Sequence, residues 1–373
     1  MSLNALVTCS DEKIVRVLRR VLSDLEITIH QCADAEMAVR KLTRQRFEAV
    51  IVDCTDDAMA GQILRSVRTA PCNKHSVAVA IVDGQKALRG AFDLGAHFVL
   101  YKPISMERSK SSFRAARALM KRERRRNARV AVEIPVVLTP APDQGQIRSI
   151  TVDLGEGGMA LKLAQRPKRT AGMRVQFTLP GSGYHVDCTG RIAWEGAGRQ
   201  SGIRFTDISA EAHNQIKTWI KRHTPELEAD DPPAPCRLTD LSLGGCYLQT
   251  ASPLPLRTAV TLSMRTRDSE LQVEGLVRVM HPDVGMGVEF SRHAPDQKER
   301  VEKFIHALAN SGSALPDLTV EPEGLLSQED VKTAEQAIDD PLLRLFSDQE
   351  LTAETFQAEL RKQRGVQADA ATV

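Results

Sequence analysis

Arg125-Arg126-Asn127-Ala128-Arg129 and, about a strand-pair later, Asp153-Leu154-Gly155-Glu156-Gly157-Gly158 decide how this chain reads. Two arginines four residues apart can aim two planar forks at one place, and a guanidinium suits both phosphate oxygens and the face of a purine. The second stretch joins an acid to a run of glycines. The acid can accept hydrogen bonds from a guanine edge, and glycines let a backbone come close to a ligand.

Working outward, the segments 132–138, 147–154, 159–163, 174–179, 185–194 and 202–205 read as six short strands with turn signals between them, and 209–221 as a closing helix. Short strands at this spacing predict a small antiparallel barrel. With this frame the two stretches resemble the PilZ family, whose pattern is RxxxR followed by [DN]xSxxG. Arg125 and Arg129 match the first part, and Asp153 and Gly158 the second, while Gly155 replaces the serine. The resemblance implies binding of the bacterial second messenger cyclic di-GMP. Arg125 and Arg129 would contact a guanine face and the phosphates, Asp153 would accept from a guanine edge, and Gly158 would admit the backbone. Gly155 in place of serine removes one hydrogen bond, which costs roughly 0.5–1.5 kcal/mol.

The second stretch returns as Asp240-Leu241-Ser242-Leu243-Gly244-Gly245, with the serine intact. Gly190 to Trp194 lines up with Gly275 to Val279, and Gly202 to Phe205 with Gly287 to Phe290. A repeat of this length is a duplicated domain, not a solenoid unit. In the second copy Asp240, Ser242 and Gly245 match the motif, but residues 232–236 stand where an RxxxR belongs, and no counterpart of the first strand precedes it. That copy is expected not to bind nucleotide by itself and to expose a sheet edge.

Upstream, residues 1 to about 105 alternate apolar strands with amphipathic helices, which predicts a doubly wound parallel sheet. Functional groups collect at the carboxyl ends of such strands. Here those ends resemble the receiver domain of response regulators. Asp53 stands at the phosphoacceptor position, Gly61 at the family glycine and Lys102-Pro103 at the Lys-Pro step. Asp11 takes one acidic position, so the resemblance implies a magnesium site at Asp11 and Asp53, with Lys102 in the same pocket. Ser10 stands at the other acidic position and Val82 at the Ser/Thr switch position, so the stabilisation that phosphoryl transfer needs is incomplete. A degenerate receiver acting as an interaction module, or weakly phosphorylated on Asp53, is the expectation.

The whole is read as a receiver-like domain (1–120), a first PilZ-like barrel with its basic linker motif (121–223), a linker (224–235), a degenerate second barrel (236–310) and an acidic, mostly disordered tail (311–373). The run from Lys121 to Arg129 has six cations and one acid, and its plainest reading is a solvated helix end. Net charge is +2, with 13 acids and 5 bases after residue 310. Seven scattered cysteines without a C-x-x-C pair exclude a disulfide scaffold and a zinc site. No catalytic motif is present. Neither a signal peptide nor a run long enough to span a membrane occurs, so a cytoplasmic location is expected. The expected function is a bacterial signalling adaptor that binds cyclic di-GMP and an unidentified signalling protein. A ligand-free interaction scaffold is the alternative. Nucleic acid is disfavoured because aromatic residues are scarce near Lys121–Arg129.

Overall fold

A computed structural model describes residues 2–70, 72–84, 88–140, 145–163, 172–196, 200–224, 231–267, 269–291, 295–310 and 315–326. The chain divides into two compact units, one formed by Arg124–Ala229 and the other by Ser2–Glu123 together with the residues from Asp230 onward.

The larger unit begins with β1 (Leu3–Thr8), α1 (Glu12–Asp24), β2 (Ile27–Cys32), α2 (Ala35–Arg44), β3 (Ala49–Asp53), α3 (Asp57–Thr69), β4 (Val77–Val82), α4 (Leu88–Asp93), β5 (Phe98–Tyr101) and α5 (Met106–Arg126). The sheet is parallel, in the order β2-β1-β3-β4-β5. That is the flavodoxin-like order shared by receiver domains. β3 and β4 are buried along their whole length, as strands covered on both faces must be. The helices start at aspartate caps: Asp11, Asp34 and Asp56 each accept backbone N–H bonds from the first turn that follows. Ile14, Val15, Leu18, Val21 and Leu22 form the buried stripe of α1. β2 was not legible in the sequence, because Thr28, His30 and Gln31 break its apolar pattern at the sheet edge.

The Arg124–Ala229 unit contains β6 (Arg129–Ala131), β7 (Pro135–Thr139), β8 (Ile147–Gly155), β9 (Gly158–Lys162), β10 (Met173–Thr178), β11 (His185–Glu195), β12 (Gln200–Asp207) and α6 (Ala210–His223). Six strands close a barrel in the order β8-β7-β10-β11-β12-β9, with β9 pairing back to β8. Of the strand expected over 132–138, only the later part forms, as β7, and an additional short strand, β6, precedes it. β7 pairs with the first half of β8, and β6 lies along the same edge beside Asp153 to Gly155. Ile216, Trp219 and Ile220 of α6 pack into the core with Phe177 and Phe205.

The second barrel comprises β13 (Ala234–Leu241), β14 (Gly245–Gln249), β15 (Thr258–Arg265), β16 (Glu270–His281), β17 (Gly285–Phe290) and β18 (Asp317–Leu325), with α7 (Pro295–Asn310) preceding the last strand. It closes in the order β13-β14-β17-β16-β15-β18. β18 is antiparallel to both β13 and β15, the slot that β7 fills between β8 and β10. The second copy is therefore circularly permuted. Its first strand has moved to the end of the chain, and the edge expected to stand open is paired.

Three expectations need correction on this ground. The tail does not begin at 311, because 317–325 is a barrel strand; its alternating Leu318, Val320 and buried Leu325 supply the inward face. The remaining tail, including the weak helical patches at 328–337 and 352–363, lies outside the described residues. The linker does not reach 235, because Ala234 and Pro235 belong to β13; residues 225–230 lie outside the described residues. The basic helix end is not solvated at its start. Lys121, Arg122 and Glu123 are only 7%, 3% and 3% exposed. Arg117 Nη1 and Lys121 Nζ donate to Asp231 at 2.7 and 2.8 Å, and Arg122 Nη2 donates to Glu323 at 2.9 Å. Glu123 accepts from the Leu325 N–H at 2.6 Å. Burial of these charges requires such partners.

Candidate functional site

In the first barrel, β8 and β9 form a hairpin whose turn is Glu156-Gly157, with Gly155 paired to Gly158. β6 pairs along it in the register Arg129 to Gly155 and Ala131 to Asp153. This brings Arg129 onto the acid: its Nη1 donates to Asp153 Oδ1 at 2.7 Å, and the Ala160 N–H donates to the same oxygen at 3.2 Å. Arg129 is 45% exposed on its side chain and Asp153 26%, so the pair faces solvent. Arg125 sits in the last turn of α5 and is half-buried; its carbonyl accepts from the Ala128 N–H at 2.8 Å. The two arginines thus stand on different elements, one helical and one extended.

Strand register extends this site further. Asp153 pairs with Ala160, Ala160 with Gly202, and Gly202 with Trp194, giving one row across β8, β9, β12 and β11. The Trp194 indole is 44% exposed and lies over Gly202, where an added Cβ would sit 2.1 Å from Nε1. A guanidinium–carboxylate pair at one end, small residues between and an open aromatic face at the other suit a planar, anionic ligand.

The pocket expected from the receiver resemblance lies at the carboxyl end of β3. Asp53 accepts from Lys102 Nζ at 2.8 Å, from the Thr55 hydroxyl at 2.7 Å and N–H at 3.2 Å, and from the Cys9 thiol at 3.2 Å. The Lys102–Pro103 bond is cis. Lys102 also lies 3.7 Å from Asp83. Burial pulls the Asp53 carboxyl up, but the bonds from Lys102, Thr55 and Cys9 outweigh it and hold it below the usual range. Burial and the bond to Asp53 push the Cys9 thiol up to about 11, so it is a neutral donor. Asp11 caps α1, accepting from the N–H groups of Lys13 and Ile14 at 2.8 and 3.4 Å.

The magnesium expectation is corrected by this geometry. Magnesium needs several hard oxygen ligands. Cys9, a neutral thiol, lies against Asp53, and the Asp11 carboxylate holds the helix start. No three acidic, histidine or cysteine side chains gather as a metal site among the described residues. The residues present do not fit the ion.

In the second barrel, Asp240 pairs with Tyr247, and the Ser242 hydroxyl donates to the Gly245 carbonyl at 3.0 Å while its N–H donates to the same oxygen at 2.8 Å. The motif serine there closes a turn. Both copies need glycine at the end of the motif for packing. A Cβ on Gly158 would lie 2.1 Å from the Ile203 carbonyl oxygen, and one on Gly245 2.3 Å from that of Val288. Gly190 and Gly275 repeat the relationship against Ile203 and Val288 side chains. The model of the PilZ domain matches residues 123–222 and again 221–307. The chain is a tandem PilZ-domain protein.

Solved structures resemble its parts. The receiver domain of a sensor histidine kinase from Pseudomonas aeruginosa PAO1, which holds a magnesium ion in its active-site cleft, is 20% identical, covering 32% of this chain and 98% of its own, with a TM-score of 0.29. A chemotaxis response regulator of Vibrio cholerae is 18% identical over 31% of this chain and 99% of its own, TM-score 0.29. The PilZ domain of CeSA from a cellulose-synthesizing bacterium is 21% identical over 27% of this chain and all of its own, TM-score 0.22. No curated protein matches.

Of the residues expected at the PilZ site, Arg129, Asp153, Gly155 and Gly158 come together, with Arg125 a turn back on the helix. Gly158 proves to be required by strand packing. Sequence reasoning did not assign Trp194, Cys9 or Thr55 to a site. Trp194 could have been found from the small Gly202 opposite it in the hairpin. Thr55 could have been found as the hydroxyl two residues after Asp53, a common local partner of aspartate.

Proposed function

We propose that this protein is a cytoplasmic, non-enzymatic signalling adaptor whose first PilZ domain binds cyclic di-GMP. The observation that carries the reading is the 2.7 Å contact between Arg129 and Asp153, which sets the RxxxR segment against the glycine-rich hairpin. Arg125 and Arg129 would neutralise the phosphates, Asp153 would accept from a guanine edge, and Trp194 would offer a stacking face to a purine. No described helix is long and apolar enough to cross a membrane.

The receiver domain would serve as an interaction module that works without magnesium-dependent phosphorylation of Asp53. Its carboxylate is engaged by Lys102, Thr55 and Cys9. The second PilZ domain would not take nucleotide, because residues 232–236 stand where an RxxxR belongs ahead of Asp240, Ser242 and Gly245. The test is calorimetry of the full chain with cyclic di-GMP, with GTP as control. Binding to the first alone supports the sensor. No heat at about 100 µM ligand, where a −5.5 kcal/mol interaction registers, replaces it with a ligand-free scaffold, a reading that draws on Gly155 in the serine position.

A further inference from the structure

We propose that the second PilZ domain is a protein-docking module whose ligand is helix α5 of the chain's own receiver domain. β18 is the element that makes the fit. In the first barrel the corresponding slot is filled by a strand from upstream; here it is filled by one that arrives after α7 and brings Glu323 and Leu325 with it. Glu323 accepts from Arg122 at 2.9 Å and from the Thr261 hydroxyl at 3.2 Å, so the carboxylate is oriented from its own barrel before it meets the helix. Glu123 takes the N–H of Leu325. Asp231, three residues before β13, holds Arg117 and Lys121. Arg108 and Asp283, 3.9 Å apart, add an exposed pair farther back along the helix.

The contact is built for recognition. Acids of the barrel meet cations of the helix, and the one acid of the helix end meets a backbone donor. Charges as deeply buried as Arg122 and Glu123 would be costly without these partners, so the pairing selects this helix over others. Phe113, Ala116, Leu119 and Met120 of α5 belong to the same buried apolar cluster as Val320, Leu318 and Leu262 of the barrel. A barrel copy without the arginine pair has kept its fold and taken a protein surface as its ligand. The α5 face is therefore occupied in cis, and an outside partner must use another face of the receiver or displace β18.

Amide hydrogen exchange on the full chain tests this, with wild type, Glu323→Arg and the charge swap Arg122→Glu/Glu323→Arg. If docking is specific, Glu323→Arg speeds exchange of residues 117–123 and 317–325 together by at least about tenfold and leaves β1, β3, β4 and the first barrel unchanged, and the swap restores most of the protection. Faster exchange in 317–325 with 117–123 still protected overturns the proposal, as does a swap with no recovery. Should Glu323→Arg not fold, Glu323→Gln keeps the shape; a smaller rise shared by both segments supports docking, and a rise confined to β18 overturns it.

Discussion

A Cβ built on Gly155 lies 3.1 Å from the carbonyl oxygen of Ala128. The residue that departs from the family pattern is thus the one on which the backbone of the RxxxR segment rests. In the second copy Ser242 stands at the same point of the hairpin, where no strand equivalent to β6 is among the described residues, and its hydroxyl closes the turn. Gly155→Ser forces Ala128 to move by a few tenths of an ångström but can form the same turn bond. Its cyclic di-GMP affinity should stay within about tenfold of wild type, the range of one neutral hydrogen bond. Gly155→Val adds a branched side chain at the same point and should weaken binding more. Titration of both variants checks this; equal affinities for valine and wild type would show that β6 does not need to lie on Gly155.

Arg129→Ala and Arg125→Ala should each lower cyclic di-GMP affinity by roughly ten- to a hundredfold, the effect of losing a charge-assisted contact worth about 1.5–3 kcal/mol. Asp240→Ala should leave it unchanged. Calorimetry decides; a loss on Asp240→Ala equal to that on Arg129→Ala would give the second domain a share in the site.

Gly158→Ala and Gly245→Ala should each destabilise their own barrel, by about 1–3 kcal/mol or more, because the added methyl meets a carbonyl oxygen of the neighbouring strand. The effect should appear in thermal melts without ligand. A role in ligand contact alone predicts the opposite pattern for both substitutions, an unchanged melt with weaker binding.

Asp53 has a folded pKa below its ordinary value. Such a group contributes its full stabilisation above the unfolded value of about 3.9 and loses it as the pH falls through the lower folded value. Asp53→Asn should therefore be less stable than wild type at pH 7 by roughly 1–3 kcal/mol, with the gap narrowing below about pH 4. Urea melts at pH 7 and pH 3 measure it, and a gap that does not change with pH removes the ionic role of Asp53.

Cys9→Asp would set a second carboxylate where a thiol now lies 3.2 Å from Asp53. Like charges this close destabilise the fold until a cation joins them. The variant should melt lower than wild type without metal and regain stability with millimolar magnesium, while wild type shows no magnesium dependence. Magnesium stabilisation of wild type would restore the expected metal site.

Much of this protein was written locally. The strand–helix alternation, the α1 stripe, the hairpin with its acid and glycines, and its return in a second copy all depend on residues near one another in the chain. Side-chain periodicity and turn chemistry set such elements, so the parallel sheet, the two barrels and Arg129 and Asp153 as site residues were legible, but the ion pair between those two was not. What only the tertiary structure decided involves partners far apart in sequence. β18 pairs with β13 across some eighty residues, and nothing in the pattern of residues 317–325 names that slot, because strand partnership is chosen by which edge is left open. Lys121 to Glu123 read as solvated because local composition carries no information about an acid at 231 or 323. Asp11 read as a metal ligand because sequence shows that a carboxylate is present but not that it caps the helix it precedes. In each case the residue type was visible, and the direction in which its side chain finds a partner was settled by packing.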